Sequence, residues 1–155
     1  MTHEQPINAP IDFRPFPFDA GFAHHVGPLF WCKDRAPPAL GFRVLDHHVN
    51  PAGVCHGGMM VTVMDMALGI AMARAGKFKG FVPTVNMTTD FLRPAKHGDW
   101  LESKVEFGRA SRRMAFAEGL LIGPDGPVLR CNGIGKLPNK DDPVFGSVRV
   151  DPTRR

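Results

Sequence analysis

Two features in one stretch of the chain have residue types that could do chemistry. The run His56-Gly57-Gly58 precedes a long apolar segment, residues 59–73, in which only Thr62 and Asp65 are polar. If this segment is a helix, the first backbone N–H groups have no intrahelical partner, and the helix dipole favours negative charge beside them. Glycines also let a ligand approach the backbone closely. The turn is therefore a candidate oxyanion or carbonyl-polarising site, although two glycines would equally serve a tight turn with no other role.

Asp65 is the second feature, because it interrupts a segment that is otherwise apolar on nearly every helical face. A helix of this composition is typical of a buried core element. An unpaired carboxylate in such a place is costly. It would either be paired with an arginine or capped by hydroxyl groups, or serve as a general base on water or as a nucleophile.

The spacing of these two features limits how they could act together. Gly57 and Asp65 are eight residues apart, which is ~12 Å along a straight helix at 1.5 Å per residue. One carbonyl carbon cannot contact both from the same chain. If they share a site, Asp65 must come from the antiparallel helix of a second copy.

The rest of the chain supplies the elements that would position this helix. Alternating apolar residues and turn signals predict strands at 27–33, 40–45, 84–92, 100–107, 113–122 and 128–137. The order predicts an α+β fold in which an antiparallel sheet wraps around one long central helix. We predict an N-terminal arm at 1–26 with room for one short helix, a single domain at 27–137 and a peripheral tail at 138–155. Because one sheet covers only one side of such a helix, we also predict at least a homodimer.

Composition narrows the classes of function. The chain has 155 residues and a net charge of +4, which suits an anionic ligand but is not by itself typical of nucleic-acid binding. Three widely spaced cysteines without a CxxC pair indicate reduced thiols, and no signal-peptide pattern precedes them, so we expect a cytoplasmic protein. The apolar segment is judged too short and too interrupted to span a bilayer, so no membrane association is expected. The pairs His24-His25 and His47-His48 lack the spacing of a metal cage, and no metal site is expected.

Several motifs, taken in chain order, resemble one known family. They are residues 48–58 (HVNPAGVCHGG), 65–69 (DMALG), 84–95 (TVNMTTDFLRPA), 108–116 (GRASRRMAF) and 125–133 (DGPVLRCNG). In these motifs the chain resembles the hotdog-fold acyl-CoA thioesterases of the PaaI-like, phenylacetate-degradation group. The likeness covers roughly residues 28–137.

The resemblance implies an activity, a substrate and a set of residue roles. The N–H of Gly57 would polarise the thioester carbonyl, and Asp65 of the partner subunit would activate water or attack directly. Asn50 and His56 would position the thioester and support the turn, and Thr84 would orient the water. No cofactor is implied beyond the coenzyme A of the substrate, and further assembly into a homotetramer is implied.

Binding of coenzyme A is expected to involve basic side chains and the glycine turn. Gly58 would let the substrate approach, and Arg93, Arg112 and Arg113 could contact the phosphates. The Arg112-Arg113 pair is predicted to begin a strand, so only one of the two would reach a given phosphate. Phenylalanines of the N-terminal region could close over an aromatic or a medium-chain acyl group; they are Phe13, Phe16, Phe18, Phe22 and Phe30.

Two alternatives to hydrolysis stay open from the sequence. One is a non-catalytic protein of this fold that binds acyl-CoA, which would have no need of a carboxylate beside the carbonyl site. The other is hydration or dehydration of an acyl thioester, for which the usual Asp-x-x-x-x-His pattern is missing from residues 28–137, the part of the chain that carries the likeness.

Overall fold

The computed structural model describes residues 7–18 and 20–146, and within them one antiparallel sheet curves around one long helix. The strands are β1 (Arg14–Pro15), β2 (Phe30–Cys32), β3 (Ala39–Arg43), β4 (Thr84–Phe91), β5 (Trp100–Ala110), β6 (Met114–Gly123) and β7 (Gly126–Lys136). The helices are α1 (Phe22–His25) and α2 (Gly57–Ala75), with a 3₁₀ turn at Asp46–His48. The predicted α+β hotdog architecture is confirmed, with element ends that differ from the predicted ones by a few residues.

The central helix α2 buries one face against the sheet. Met60, Val63, Met64, Leu68 and Met72 are buried there. The opposite face, which includes Thr62, Asp65, Met66, Gly69 and Ile70, is only partly buried. The sequence predicted that one sheet would cover only one side of this helix, and the burial of its residues within one chain confirms this. The second copy that would cover the other side stays a prediction.

The expectation that the apolar segment of α2 is too short to span a membrane is wrong. At 19 residues and a mean hydropathy of 1.3, α2 is long and apolar enough to cross a bilayer by length and composition alone. Its position in the fold identifies it as a core helix, because half of its most apolar 18-residue stretch is buried against the rest of the chain.

The sheet order is β1-β2-β3-β5-β6-β7-β4, which places β4 at an edge. Strands β5, β6 and β7 form the predicted antiparallel meander, while β4 crosses over to pair with β7. Its outer edge has no partner strand in the described chain, and Val85 and Phe91 are 60% and 57% exposed. A long edge strand with exposed apolar side chains is typical of a surface that another chain covers.

The N-terminal arm is part of the sheet. Its two-residue strand β1 pairs with β2, and the Phe16 N–H donates to the Leu29 carbonyl at 2.9 Å. The Arg35 guanidinium bridges Asp12 and Glu102 at 2.8 and 2.7 Å, which joins the arm to β5. The expected short helix is α1. In the tail, the Phe81 N–H donates to the Phe145 carbonyl at 3.0 Å, and the predicted tail beyond residue 146 lies outside the described residues.

His48 joins the arm to the turn that leads into α2. Its ring is 2% exposed, Nδ1 accepts the Leu45 N–H at 3.0 Å, and Nε2 donates to the Val26 carbonyl at 2.9 Å. This arrangement requires the neutral ring, because a protonated Nδ1 could not accept. Burial is the main cause that lowers the pKa of His48 from its ordinary value, and the adjacent His47 adds to the shift.

We therefore predict that His48 makes the protein less stable in mild acid. The unfolded chain binds a proton at this residue below the ordinary pKa of 6.5, whereas the folded chain resists it until a lower pH. The stability that neutral His48 contributes is thus present above pH 6.5 and is lost as pH falls from there toward the lowered pKa.

Urea denaturation of wild type and His48→Leu from about pH 8 to about pH 5.5 tests this. At the higher pH we expect the variant to lose about 1–3 kcal/mol of unfolding free energy, because two backbone groups lose a buried partner. Its stability should then fall less steeply with pH than that of wild type. His25→Gln, at a solvent-exposed histidine, is the control. Parallel curves for wild type and His48→Leu would contradict the prediction.

Candidate functional site

Asp65 lies on the partly exposed face of α2, where β4 begins. The Thr84 hydroxyl donates a hydrogen bond to Asp65 Oδ1 at 2.6 Å. No arginine or lysine of the described chain forms an ion pair with this carboxylate. Of the alternatives from the sequence, hydroxyl capping is therefore correct and arginine pairing is wrong. One carboxylate oxygen is held in place, and the predicted water-orienting residue contacts the carboxylate directly.

This pair forms the polar part of a mostly apolar cavity of about 690 Å³. The cavity lies between the outer face of α2, the arm and the segment before β4. Its lining residues are Phe16, Pro17, Phe18, Ala20, Phe22, Ala23, Asp65, Met66, Gly69, Ile70, Ala73, Gly80, Phe81, Val82, Pro83 and Thr84. A concave, apolar site with a few converging polar groups is the usual form of a small-molecule site.

The start of α2 offers an open backbone donor. His56 is the N-cap residue, and its Nδ1 accepts the Gly58 N–H at 2.9 Å. The Gly57 N–H donates no hydrogen bond to any acceptor among residues 7–18 and 20–146. A free N–H at the positive end of a helix dipole could polarise a carbonyl oxygen. His56 thus supports the turn, as predicted from the resemblance.

The ring of Phe91 lies beside Gly57. A Cβ atom at position 57 would stand 2.8 Å from the ring edge of Phe91, so this glycine is required for a close approach. The contact was missed from the sequence, because Phe91 follows Gly57 by more than thirty residues and only the sheet topology brings β4 to the start of α2. The one signal for it in the sequence was the alternation of apolar residues in β4, which continues to Phe91 and so places this ring on the same face of the strand as Val85 and Met87.

Asn50 shapes the loop before the helix. Its Oδ1 accepts the Ala52 and Val54 N–H groups at 3.0 and 3.4 Å, and Gly53 closes the turn with a φ of 78° that favours glycine. The carbonyl end of the side chain is thereby occupied within the loop. Only its amide nitrogen is left for the thioester-positioning role that the resemblance implies.

Gly58 and Asp65 line different cavities of the same chain. Gly58, His56 and Thr62 belong to a second cavity of about 380 Å³, together with His25, His47 and His48. Helix α2 is continuous from Gly57 to Ala75, so the predicted separation of ~12 Å along its axis holds. One chain therefore presents the open N–H and the carboxylate as two separate half-sites.

The predicted phosphate-binding arginines do not converge in one chain. Arg93 follows β4 on the side where Phe91 meets Gly57, and its guanidinium donates to the Asp125 carbonyl. Arg112 and Arg113 lie near the other end of α2, since the Arg113 carbonyl accepts the Leu137 N–H and Leu137 packs on Gly76. The prediction that this pair begins a strand is wrong: both residues lie in the turn before β6, which starts at Met114.

The cysteines are buried and have no disulfide partner. Burial raises the pKa of Cys131 to about 12, with a further contribution from the charge of Asp65. Burial also raises the pKa of Cys55 to about 12. Thiols held protonated in this way are poor nucleophiles. Within the described residues, no three side chains of His, Cys, Asp or Glu are grouped as metal ligands.

Comparison with known proteins identifies the family. Residues 52–129 match the model of the thioesterase superfamily. A protein of Pseudomonas aeruginosa named as a "putative esterase" is 33% identical over 134 residues, which cover 85% of this chain and 99% of that protein.

Two solved structures illustrate the shared fold. A variant of the phenylacetic acid degradation protein PaaI from Thermus thermophilus superposes with a TM-score of 0.65 and 22% identity, covering 74% of this chain and 96% of the other. A hypothetical thioesterase protein of Streptococcus pneumoniae, solved with coenzyme A, superposes with a TM-score of 0.58 and 20% identity, covering 64% and 78%. The chain therefore belongs to the thioesterase superfamily, has its hotdog fold, and counts PaaI proteins among its structural relatives.

Proposed function

We propose that this protein is an acyl-CoA thioesterase that hydrolyses an aromatic or medium-chain acyl-CoA. The observation that carries the proposal is the Thr84–Asp65 hydrogen bond at the edge of an apolar cavity. A carboxylate oriented by a hydroxyl and placed next to room for an acyl group fits hydrolysis of an acyl thioester. Among the structural relatives, one protein was solved with coenzyme A and another, from Streptococcus mutans, with acetyl-CoA.

The active site is proposed to form between two copies of the chain. The open N–H of Gly57 and the carboxylate of Asp65 lie too far apart on one helix to act on one carbonyl. An antiparallel second α2 would bring Asp65 of one copy to Gly57 of the other, and the two-fold symmetry would produce two such sites. The partly buried outer face of α2 and the exposed apolar side chains of β4 supply surface for this contact.

Hydrolysis in this site would use the helix terminus and the carboxylate together. The Gly57 N–H would bind the carbonyl oxygen, where negative charge develops as the tetrahedral intermediate forms. As a general base, Asp65 would take a proton from the attacking water, and the C–S bond would break with release of the thiolate of coenzyme A. As a nucleophile, it would displace the thiolate to form a mixed anhydride that water then hydrolyses. Both routes use the same residue.

Recognition of coenzyme A would draw on both subunits as well. Arg93 lies at the Gly57 end of its own chain, whereas Arg112 and Arg113 lie at the opposite end of α2. An antiparallel partner would bring its Arg112-Arg113 turn toward the Gly57 end, so the three arginines could contact one ligand across the interface. Gly58 and Asn50 would position the thioester beside Gly57. Assembly into a homotetramer, a cytoplasmic location and catalysis without a further cofactor stay expectations.

Replacement of the carboxylate tests the mechanism most directly. In a thiol-release assay over a panel of acyl-CoAs, we expect wild type to hydrolyse at least one aromatic or medium-chain member. Asp65→Asn should lower the rate ~10²-fold or more, the scale of a general base. Thr84→Val, which removes only the orienting hydroxyl, should cost ~10-fold or more, as for a hydrogen bond to a charged group. Full activity in Asp65→Asn would overturn the mechanism, and tight binding without turnover in wild type would favour a non-catalytic acyl-CoA-binding protein.

Removal of the Gly57 N–H tests the backbone donor. Proline lacks the N–H but is well tolerated at the first position of a helix, and His56 already has the extended backbone that a following proline requires (φ −62°, ψ 132°). Gly57→Pro should therefore stay folded and lose ~10²–10³-fold in rate, the effect of deleting one oxyanion donor. Gly57→Ala is the matched control, because it meets the same Phe91 ring with its Cβ but keeps the N–H. If Gly57→Ala is active and Gly57→Pro is equally active, the N–H is not used.

Mixing the two inactive variants tests the shared site. A dimer with one Asp65→Asn chain and one Gly57→Pro chain contains one site in which Gly57 and Asp65 are both intact. Statistical mixing after co-expression should therefore restore about a quarter of wild-type activity, since half of the dimers are mixed and each has one working site. No recovery in mixed dimers that are shown to form would contradict a site shared between subunits.

A further inference from the structure

We propose that the N-terminal arm selects the acyl group, and that Phe22 of α1 is the specificity-determining residue that limits its length. The inference rests on the proposed function, because it assigns the apolar cavity beside Asp65 to the acyl part of the substrate. It concerns three arm residues that line this cavity, Phe16, Phe18 and Phe22, which we call the arm phenylalanines.

Two of the arm phenylalanines form a fixed wall. Phe16 is 8% exposed and packs edge-on against Phe18 and Trp31, with ring centroids 5.3 and 6.2 Å apart. Its backbone is tied to Leu29, and the arm before it is paired with β2. The two remaining phenylalanines of the N-terminal region, Phe13 and Phe30, pack instead around Trp100 and do not line the cavity. The expectation that all five would close over the acyl group is therefore wrong for these two.

Phe22 stands at the boundary between two cavities. It lines both the apolar cavity with Asp65 and the histidine-lined cavity with Gly58. It is 64% exposed and begins a four-residue helix that has no buried residue. The side chain is thus less constrained by packing than Phe16, and its removal would connect the two spaces.

The opposite wall is the outer face of α2, and it leaves room at Gly69. A Cβ built at this glycine meets no heavy atom within 4 Å, although the residue lies in the middle of the helix. Glycine there weakens the helix relative to alanine. A side chain at position 69 would extend into the cavity, so the glycine leaves that volume open to a ligand.

The length of this wall indicates the size of the acyl group. From Asp65 to Ala73 the lining residues of α2 span ~12 Å along the helix axis. Carbon–carbon bonds of ~1.5 Å in an extended zigzag give roughly eight to ten carbon atoms over that distance. A medium-chain acyl group, or a phenyl-substituted one of similar length, matches the cavity.

The experiment measures kcat/KM over straight-chain acyl-CoAs from acetyl to hexadecanoyl, with phenylacetyl-CoA included. We expect wild type to prefer octanoyl- or decanoyl-CoA. Phe22→Ala should raise the ratio of the tetradecanoyl to the octanoyl rate constant at least ~10-fold, which corresponds to the burial of about two further methylene groups. Phe22→Trp should lower the same ratio. Ile11→Ala, at an arm residue that is 92% exposed and lines neither cavity, should leave the profile unchanged.

Gly69→Ala provides an independent test that loss of folding cannot mimic. It should raise the thermal midpoint by about 2–4 °C, because alanine favours the helix, and yet lower kcat/KM for decanoyl-CoA relative to butanoyl-CoA. A variant that is more stable, still forms the same oligomer as wild type by sedimentation and is less able to use longer chains has lost cavity volume.

Binding of the non-hydrolysable thioether analogues S-octyl-CoA and S-tetradecyl-CoA, measured by calorimetry, separates the two proposals. If wild type hydrolyses no acyl-CoA but Phe22→Ala still shifts binding toward the longer analogue, thioester hydrolysis is refuted and selection by the arm stands. If wild type hydrolyses acyl-CoA and Phe22→Ala changes neither the rate profile nor the binding preference, selection by Phe22 is refuted and the thioesterase stands.

Discussion

The structure depends on one constraint, which is that α2 is apolar on nearly every face while its own sheet covers only one. Burial of apolar surface contributes roughly 25 cal/mol per Å², so a helix of this composition gains much from a cover on its second face. Within the described chain, the arm and the segment before β4 reach that face, and they leave a cavity instead of a packed layer. The cavity, the Asp65 carboxylate and the exposed edge strand β4 all lie on this incompletely covered side of α2.

The same constraint explains how a carboxylate is tolerated in the middle of this helix. A charged group fully buried in an apolar core would be strongly destabilising unless it were paired. Asp65 avoids this because it lies on the partly exposed face of α2, which forms one side of the cavity. There the Thr84 hydroxyl donates a hydrogen bond to one of its carboxylate oxygens. On the sheet-facing side, beside Met64 or Leu68, it would have been packed among the apolar side chains of the core. The location of the polar residue thus follows the location of the cavity.

Much of the fold could be predicted from local patterns, and the parts that could not are those set by long-range pairing. The buried helix and the strands of the β5–β7 meander follow from residue periodicity and turn signals, and they appear where they were expected. The position of β4 beside β7 does not follow from its own sequence, because an alternating strand fits either edge of a sheet. Strand β1 is two residues long and carries no periodic signal, so its pairing could be recognised only once β2 was in place.

The same distinction between local patterns and long-range pairing applies to the candidate site. The residue types and the spacing of Gly57 and Asp65 were sufficient to predict two separated half-sites, because the rise per residue of an α-helix fixes the distance between them along its axis. Capping of Asp65 by a hydroxyl was one alternative from the sequence, and the resemblance implied Thr84 as the residue that orients the water; that Thr84 is the capping hydroxyl is seen only in the structure. The Phe91–Gly57 contact and the opposite locations of Arg93 and Arg113 depend on which strand crosses which end of α2. Local patterns carry no information on such crossings.

A site divided along one helix has a consequence for how the proposed enzyme would be assembled. Strand β4 provides Thr84 at one end, beside Asp65, and Phe91 at the other, beside Gly57, so a single edge strand runs past both half-sites. In an antiparallel dimer each complete site would then have Thr84 from one copy and Phe91 from the other. Any shift of the two edge strands against each other would change the carboxylate side and the donor side of both sites at once. The relative position of the two copies would therefore set the distance between the Asp65 carboxylate and the thioester carbonyl. Strand β4 would couple the two half-sites, because it contacts both.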